Sequence, residues 1–142
     1  METWLAHRSV ATLPLRLQQQ CASALAVAKM LASNPVVREV LYPGLPDHPG
    51  HEIAKRQMHA FGCVVSFDLV SRERAEAFLT SSTLIRQATS FGGVHSTAER
   101  RARWGGDAVS EGFIRLSVGC ESTQDLLDDI ASALDRATRI GI

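Results

Sequence analysis

No regular helix or strand can pass through Tyr42-Pro-Gly-Leu-Pro-Asp-His-Pro-Gly50. Three prolines and two glycines fall within these nine residues. Each proline lacks a backbone donor and fixes its own φ, and glycine supplies the turns between them. The chain is therefore built in one pattern before this segment and another after it. Before it, Leu17, Cys21, Ala24, Leu25, Ala28 and Leu31 follow three-and-four spacing. That spacing predicts an amphipathic helix over 15–31, with Pro14 suited to its first turn. A shorter helix over 2–11 is expected ahead of it, joined at a bend. Asn34-Pro35 ends the long helix, because a residue before proline is pushed out of helical geometry. A strand over 36–41 follows.

After the turn-rich segment the periods mix. A short helix is expected from His51 to about Met58, and Cys63-Val-Val-Ser-Phe-Asp-Leu-Val70 reads as the clearest strand. Residues 72–79 predict a helix capped by Ser71, and strands are expected over 84–88 and 113–118. In the last element Ser122 can cap, Asp125, Asp128 and Asp129 lie toward the start, and Arg136 and Arg139 lie toward the end. That polarity complements a helix dipole. Leu126, Leu127, Ile130, Leu134 and Ala137 supply its apolar face. No βαβ repeat is present, so the expected class is α+β, a small, mainly antiparallel sheet covered by helices. The expected organisation is one domain over 1–142, with leading helices over 1–33 and the sheet with its covering helices over 36–142.

Composition narrows the function classes. Fifteen basic residues balance fifteen acidic ones, so there is no general attraction to nucleic acid or to an anionic membrane. No apolar stretch approaches the roughly 20 residues that span a bilayer, and the first residues lack the pattern of a secretion signal. Cys21, Cys63 and Cys120 are odd in number and far apart, unlike a zinc site or a disulfide framework. His48 and His51 flank a Pro-Gly turn rather than sharing a helix face, so no metal site is expected there. The expectation is a soluble, cytoplasmic protein.

Arg115 stands out. It interrupts the apolar strand Phe113-Ile-Arg-Leu-Ser117, where an unpaired charge is costly. Alternation puts Phe113, Arg115 and Ser117 on one face, with Ile114 and Leu116 on the other. The guanidinium needs a planar acceptor, either a ligand carboxylate or an internal acid such as Asp68 or Glu121. Ser90-Phe-Gly-Gly93 lies about 25 residues earlier, where glycine allows close approach of a ligand.

The run Tyr42–Gln57, then Ser90-Phe-Gly-Gly93, then Phe113-Ile-Arg-Leu-Ser-Val-Gly119 occur in that order. Together they resemble the C-terminal domain of the transsulfuration (Cys/Met metabolism) pyridoxal-phosphate enzymes, and most nearly that of cystathionine γ-lyase. The resemblance implies the C-terminal fold of fold-type I pyridoxal-phosphate enzymes. It implies that Arg115 grips a substrate α-carboxylate and that Ser90 helps hold it. His95 stands where many relatives carry glutamate near the far end of the substrate, which implies a role on the substrate-specificity side. The Tyr42–Gln57 run reads as structural, and Arg100-Arg-Ala-Arg-Trp104 as a loop near the active-site mouth or a subunit contact rather than a nucleic-acid site.

In that family the Schiff-base lysine and the rest of the cofactor cradle come from a larger preceding domain, whose motifs are absent here. Lys29 and Lys55 are the only lysines, and neither has a suitable setting. The implied intact enzyme uses pyridoxal phosphate on an amino-acid substrate. This chain alone is expected to be inactive and to hold no cofactor stably. The alternative is a non-catalytic assembly module that associates with itself or an intact paralogue through the uncovered domain face.

Overall fold

The computed structural model describes residues 1–140. Helices α1 (Glu2–Ala11) and α2 (Leu13–Ser33) open the chain, meeting at Thr12. Strand β1 (Glu39–Leu41) leads into the turn-rich segment, and α3 (His51–Gln57) follows. Then come β2 (Val64–Asp68), α4 (Arg72–Ser81), β3 (Arg86–Gln87) and β4 (Thr97–Arg100). A 3-10 turn over Arg101–Trp104, β5 (Phe113–Ser117) and α5 (Thr123–Thr138) complete the order. The strands form one sheet in the order β1-β2-β5-β4-β3. Three pairings are antiparallel and only β3–β4 is parallel, so the α+β, mainly antiparallel expectation describes the fold.

The predicted caps form as hydrogen bonds. The Arg74 amide donates to Ser71 Oγ, and the Asp125 amide to Ser122 Oγ. Asp129 on α5 then closes the turn after α4. It accepts from the Thr83 amide and hydroxyl, from the Leu84 amide and from Ser82 Oγ. These bonds outweigh burial, which would raise the Asp129 pKa, and hold its carboxyl below the usual range.

Helices α2, α4 and α5 cover one face of the sheet. Val65, Phe67, Ala98, Ile114 and Leu116 are buried against Ala24, Val27, Ala28, Leu31, Phe78, Leu126, Ile130 and Leu134. Phe67 meets Phe78 edge to face, with ring centroids 5.3 Å apart. Each fully buried aliphatic or aromatic side chain contributes about 1.5–3 kcal/mol.

The strand expected over 36–41 shortens to Glu39–Leu41, and three further elements differ from expectation. The buried face of α2 is Gln20, Ser23, Ala24, Val27, Ala28 and Leu31. Relative to the predicted stripe it is rotated, leaving Leu17 exposed and Cys21 and Leu25 half-buried. The rotation has a polar cause: Gln20 Nε2 donates to Gly93 O (2.7 Å) and Val118 O (3.1 Å), and Ser23 Oγ bonds Thr123 Oγ1 (2.8 Å). The strand expected over 84–88 shrinks to Arg86–Gln87. Strand β4 is an addition. Its Glu99 and Arg100 are buried charges, so it lacks the apolar alternation that marks a strand.

Candidate functional site

The sheet face away from the helices carries Val64, Ser66, Asp68, Phe113, Arg115, Ser117, Thr97 and Glu99, as the cross-strand register requires. Arg115 stands near its middle, between Ser66 on β2 and Glu99 on β4. Its side chain is 24% exposed. Its internal acid is neither of the two expected. Asp68 pairs with Arg38 and accepts from the Val70 amide. Glu121 accepts from the Ser96 amide and hydroxyl. The partner of Arg115 is Glu99, at 2.6 Å from Nη2 to Oε1.

Glu99 is itself the hub of a network. Its side chain is 2% exposed. Oε1 accepts from Arg101 Nη1 (2.8 Å) and Oε2 from Trp104 Nε1 (2.8 Å), and Arg101 is held in turn by Asp107. Burial alone would raise the Glu99 pKa. The bonds from Trp104 and Arg101 and the Arg115 charge overcome it, so the carboxyl sits below the usual range. Arg100 points to the helix side, where Glu76 and Glu111 bind it at 2.8 and 2.7 Å. Two of the three arginines in the Arg100–Trp104 cluster are thus paired with acids, and Arg103 lies over the Trp104 ring.

The loop over 88–95 runs along the edge of Arg115. Thr89 O accepts from Arg115 Nη2, and the Phe91 ring lies 5.6 Å from the guanidinium carbon. Ser90 lies between these two residues in the chain. Its side chain is exposed, and its carbonyl accepts from Thr97 Oγ1 (2.7 Å). The Gly92 amide donates to Ser117 Oγ at 2.9 Å, and Gln20 holds the loop from behind. His95, at the other end of the loop, is exposed beside Gly119. A Cβ on Gly119 would lie 2.6 Å from the His95 and Ser96 backbone, so the Ser-Val-Gly motif closes a tight contact.

The Tyr42–Gln57 run works as structure. Tyr42 is fully buried and donates from its hydroxyl to Gly62 O at 2.9 Å. Phe61 packs on it edge to face, and His51 stacks on Phe61. The His51 Nδ1 engages Pro43 O, and His48 Nδ1 accepts from the Gly50 amide. A Cβ on Gly44 would lie 2.5 Å from the Tyr42 ring. Lys29 on α2 and Lys55 on α3 are both exposed and lie on helices, not on the sheet face that carries Arg115. Sequence reasoning singled out Arg115 and Ser90, and read the Arg100–Trp104 cluster as a loop near the active-site mouth or a subunit contact, but missed Glu99 and Gln20, whose partners lie on other elements. Among the described residues, no helix is long and apolar enough to cross a membrane.

Comparison with known proteins gives this arrangement a context. The family model for the Cys/Met metabolism PLP-dependent enzyme matches residues 1–135. A Streptomyces coelicolor protein with a provisional cystathionine gamma-lyase name is 59% identical over 138 residues, 97% of this chain and 35% of that protein. The cystathionine gamma-lyase of Bacillus subtilis is 40% identical over 147 residues, covering 94% and 38%. Among solved structures, a methionine gamma lyase from Micromonospora echinospora superposes with a TM-score of 0.86 at 44% identity, over 93% and 36% of the two chains. The O-acetylhomoserine sulfhydrylase of Wolinella succinogenes gives 0.88 at 36% identity, over 92% and 37%. The chain spans little more than a third of the length of these relatives. A match running through nearly all of its own length, in sequence and in fold, makes it a member of the Cys/Met metabolism PLP-dependent enzyme family.

Proposed function

We propose that this chain is the substrate-carboxylate-binding, C-terminal-type part of a cytoplasmic, cystathionine γ-lyase-like enzyme of sulfur amino-acid metabolism. By itself it is catalytically silent. The observation that carries this reading is the partly exposed Arg115. Its hydrogen bond to Thr89 O and its shortest approach to Glu99 both use Nη2, while Nη1 and Nε make no hydrogen bond among the described residues. A guanidinium left with free donors on an otherwise paired face is suited to a ligand carboxylate. Ser90, in the loop along its edge, offers a hydroxyl without an internal partner among the described residues. His95 faces solvent at the other end of the loop, and there it bears on the choice of substrate side chain.

The grip has a stereochemical condition. Each two-pronged edge of a guanidinium, Nη1 with Nη2 or Nε with Nη2, includes Nη2. An incoming carboxylate that binds with two prongs therefore shares Nη2 with Thr89 O and Glu99. Pyridoxal phosphate, when supplied by a complete enzyme, provides the electron sink for the chemistry. No step through it is assigned to the residues here.

Two measurements test the reading. Purified chain with added pyridoxal phosphate is expected to show no cystathionine turnover and no adduct after borohydride reduction. Turnover with one cofactor trapped on Lys29 or Lys55 would overturn the silent reading. Arg115→Lys is expected to weaken L-methionine binding by about 2 kcal/mol, the scale of a charged hydrogen bond, with less effect on stability. Unchanged binding with collapsed folding would make Arg115 a structural ion pair only.

A second reading, assembly with another copy or an intact paralogue, is favoured by α1. That helix contributes no buried residue, and Trp4, Leu5, Val10, Leu13, Leu15 and Leu17 are exposed along α1 and the start of α2. Exposed apolar surface of this kind marks an interaction site. Light scattering over a concentration range should show association, and a strict monomer at high concentration would remove this reading.

A further inference from the structure

We propose that Glu99 is a positioning residue for carboxylate recognition: it fixes the guanidinium of Arg115 so that Nη1 and Nε remain presented on the open sheet face. This rests on the carboxylate-binding reading of Arg115. Glu99 lies directly across the β4–β5 ladder from Arg115, and its Oε1 approaches Nη2 most closely, at 2.6 Å. Its own freedom is removed from the other side. Arg101 Nη1 shares Oε1, Trp104 Nε1 occupies Oε2, and Asp107 anchors Arg101. Charges thus alternate along Arg115–Glu99–Arg101–Asp107, with the exposed Trp104 as a neutral clamp at the hub.

An acid held at both oxygens cannot follow a swinging arginine, so the arginine is held to the acid. The rotamer entropy of Arg115 is then lost on folding rather than on ligand binding, which is the physical meaning of preorganisation. The Phe91 ring adds a flat wall near the guanidinium. Without the anchor, a carboxylate at this position would act instead as a competitor, neutralising Arg115 and weakening recognition. The two roles predict opposite signs. An anchor improves ligand discrimination, and a competitor reduces it.

The experiment is an NMR titration of this chain with L-methionine and with L-methioninol, which keeps the amine and side chain but lacks the carboxylate. The readouts are the ratio of the two affinities and the Arg115 Nε–H signal. Wild type is expected to prefer L-methionine. Glu99→Gln, which removes the ion pair itself, should cut that preference about tenfold, and Trp104→Phe, which removes only a support of Glu99, about threefold. Methioninol binding should stay constant in both. Trp104 is exposed, so its variant retains the fold and tests the anchor without touching Arg115. If wild type does not discriminate, the carboxylate reading fails and this inference fails with it. If wild type and Arg115→Lys differ as expected but the Glu99 and Trp104 variants keep or increase the preference, the positioning role alone is overturned.

Discussion

The two faces of the five-stranded sheet are built on different physics. The helix-covered face buries Val65, Phe67, Ala98, Ile114 and Leu116, with Arg100, paired to Glu76 and Glu111, as its charged exception. The open face also carries buried residues, but they are Asp68, Glu99 and Ser117, each with a polar partner. Non-directional burial suffices to make the first face stable. The second holds side chains at chosen orientations, which burial alone does not do, and it is the face from which Arg115 reaches out. Stability and recognition are thus separated by the strand alternation of two residues.

The separation can be broken most severely from the covered side. Phe67→Ala removes the ring packed on Phe78 and should cost about 4 kcal/mol in denaturant unfolding, nearly independent of pH between 5 and 8. A loss below about 1 kcal/mol would mean that this face is not the main source of stability. The open face should respond instead to acid. The folded-state pKa of Glu99 is lowered, so its contribution is present above the unfolded glutamate value and disappears as pH falls through the folded one. The urea midpoint should therefore decline below about pH 4.3, and Glu99→Gln should flatten part of that decline. Identical acid limbs in the two proteins would place the titration elsewhere.

The smallest expected effect sits at the end of β2. Val70 has φ of 74°, a left-handed conformation that a β-branched residue adopts at a cost, and its amide is held by Asp68 Oδ1 (2.7 Å). The backbone of Gly112 passes so close that a Cβ there would lie 2.4 Å from Val70 N. Because Val70 is largely exposed, Val70→Gly should raise stability by about 0.5–1 kcal/mol, strain relief exceeding the entropy of glycine. A loss of stability would show that the valine side chain packs usefully.

The same division decides what was legible in the sequence. Helices α4 and α5 could be read with their caps, because Ser71 and Ser122 act within a few residues of their partners. Arg115 was visible as a charge inside an apolar strand. Its acid was not, because Glu99 belongs to Thr97-Ala-Glu-Arg100, a strand whose burial comes from pairing with Arg115, Arg101, Glu76 and Glu111. Such a strand has the composition of a loop. The setting of α2 was illegible for the same reason, since the buried polar ends of Gln20 and Ser23 find partners 73 to 100 positions away.

Gln20 has a wider consequence for that helix. The apolar face of α2 is rich in small side chains, Ala24 and Ala28 among them. Small residues permit close approach but offer little to stop a helix sliding by one turn along its neighbours. A single amide hydrogen-bonded to both Gly93 O and Val118 O acts as an axial stop, because any shift leaves the buried Val118 carbonyl unsatisfied. Buried polar groups of this kind can trade some stability for a unique alignment. Replacing Gln20 with leucine should therefore yield a chain that still melts cooperatively but populates more than one placement of α2, visible as doubled methyl resonances for Val27 and Leu31.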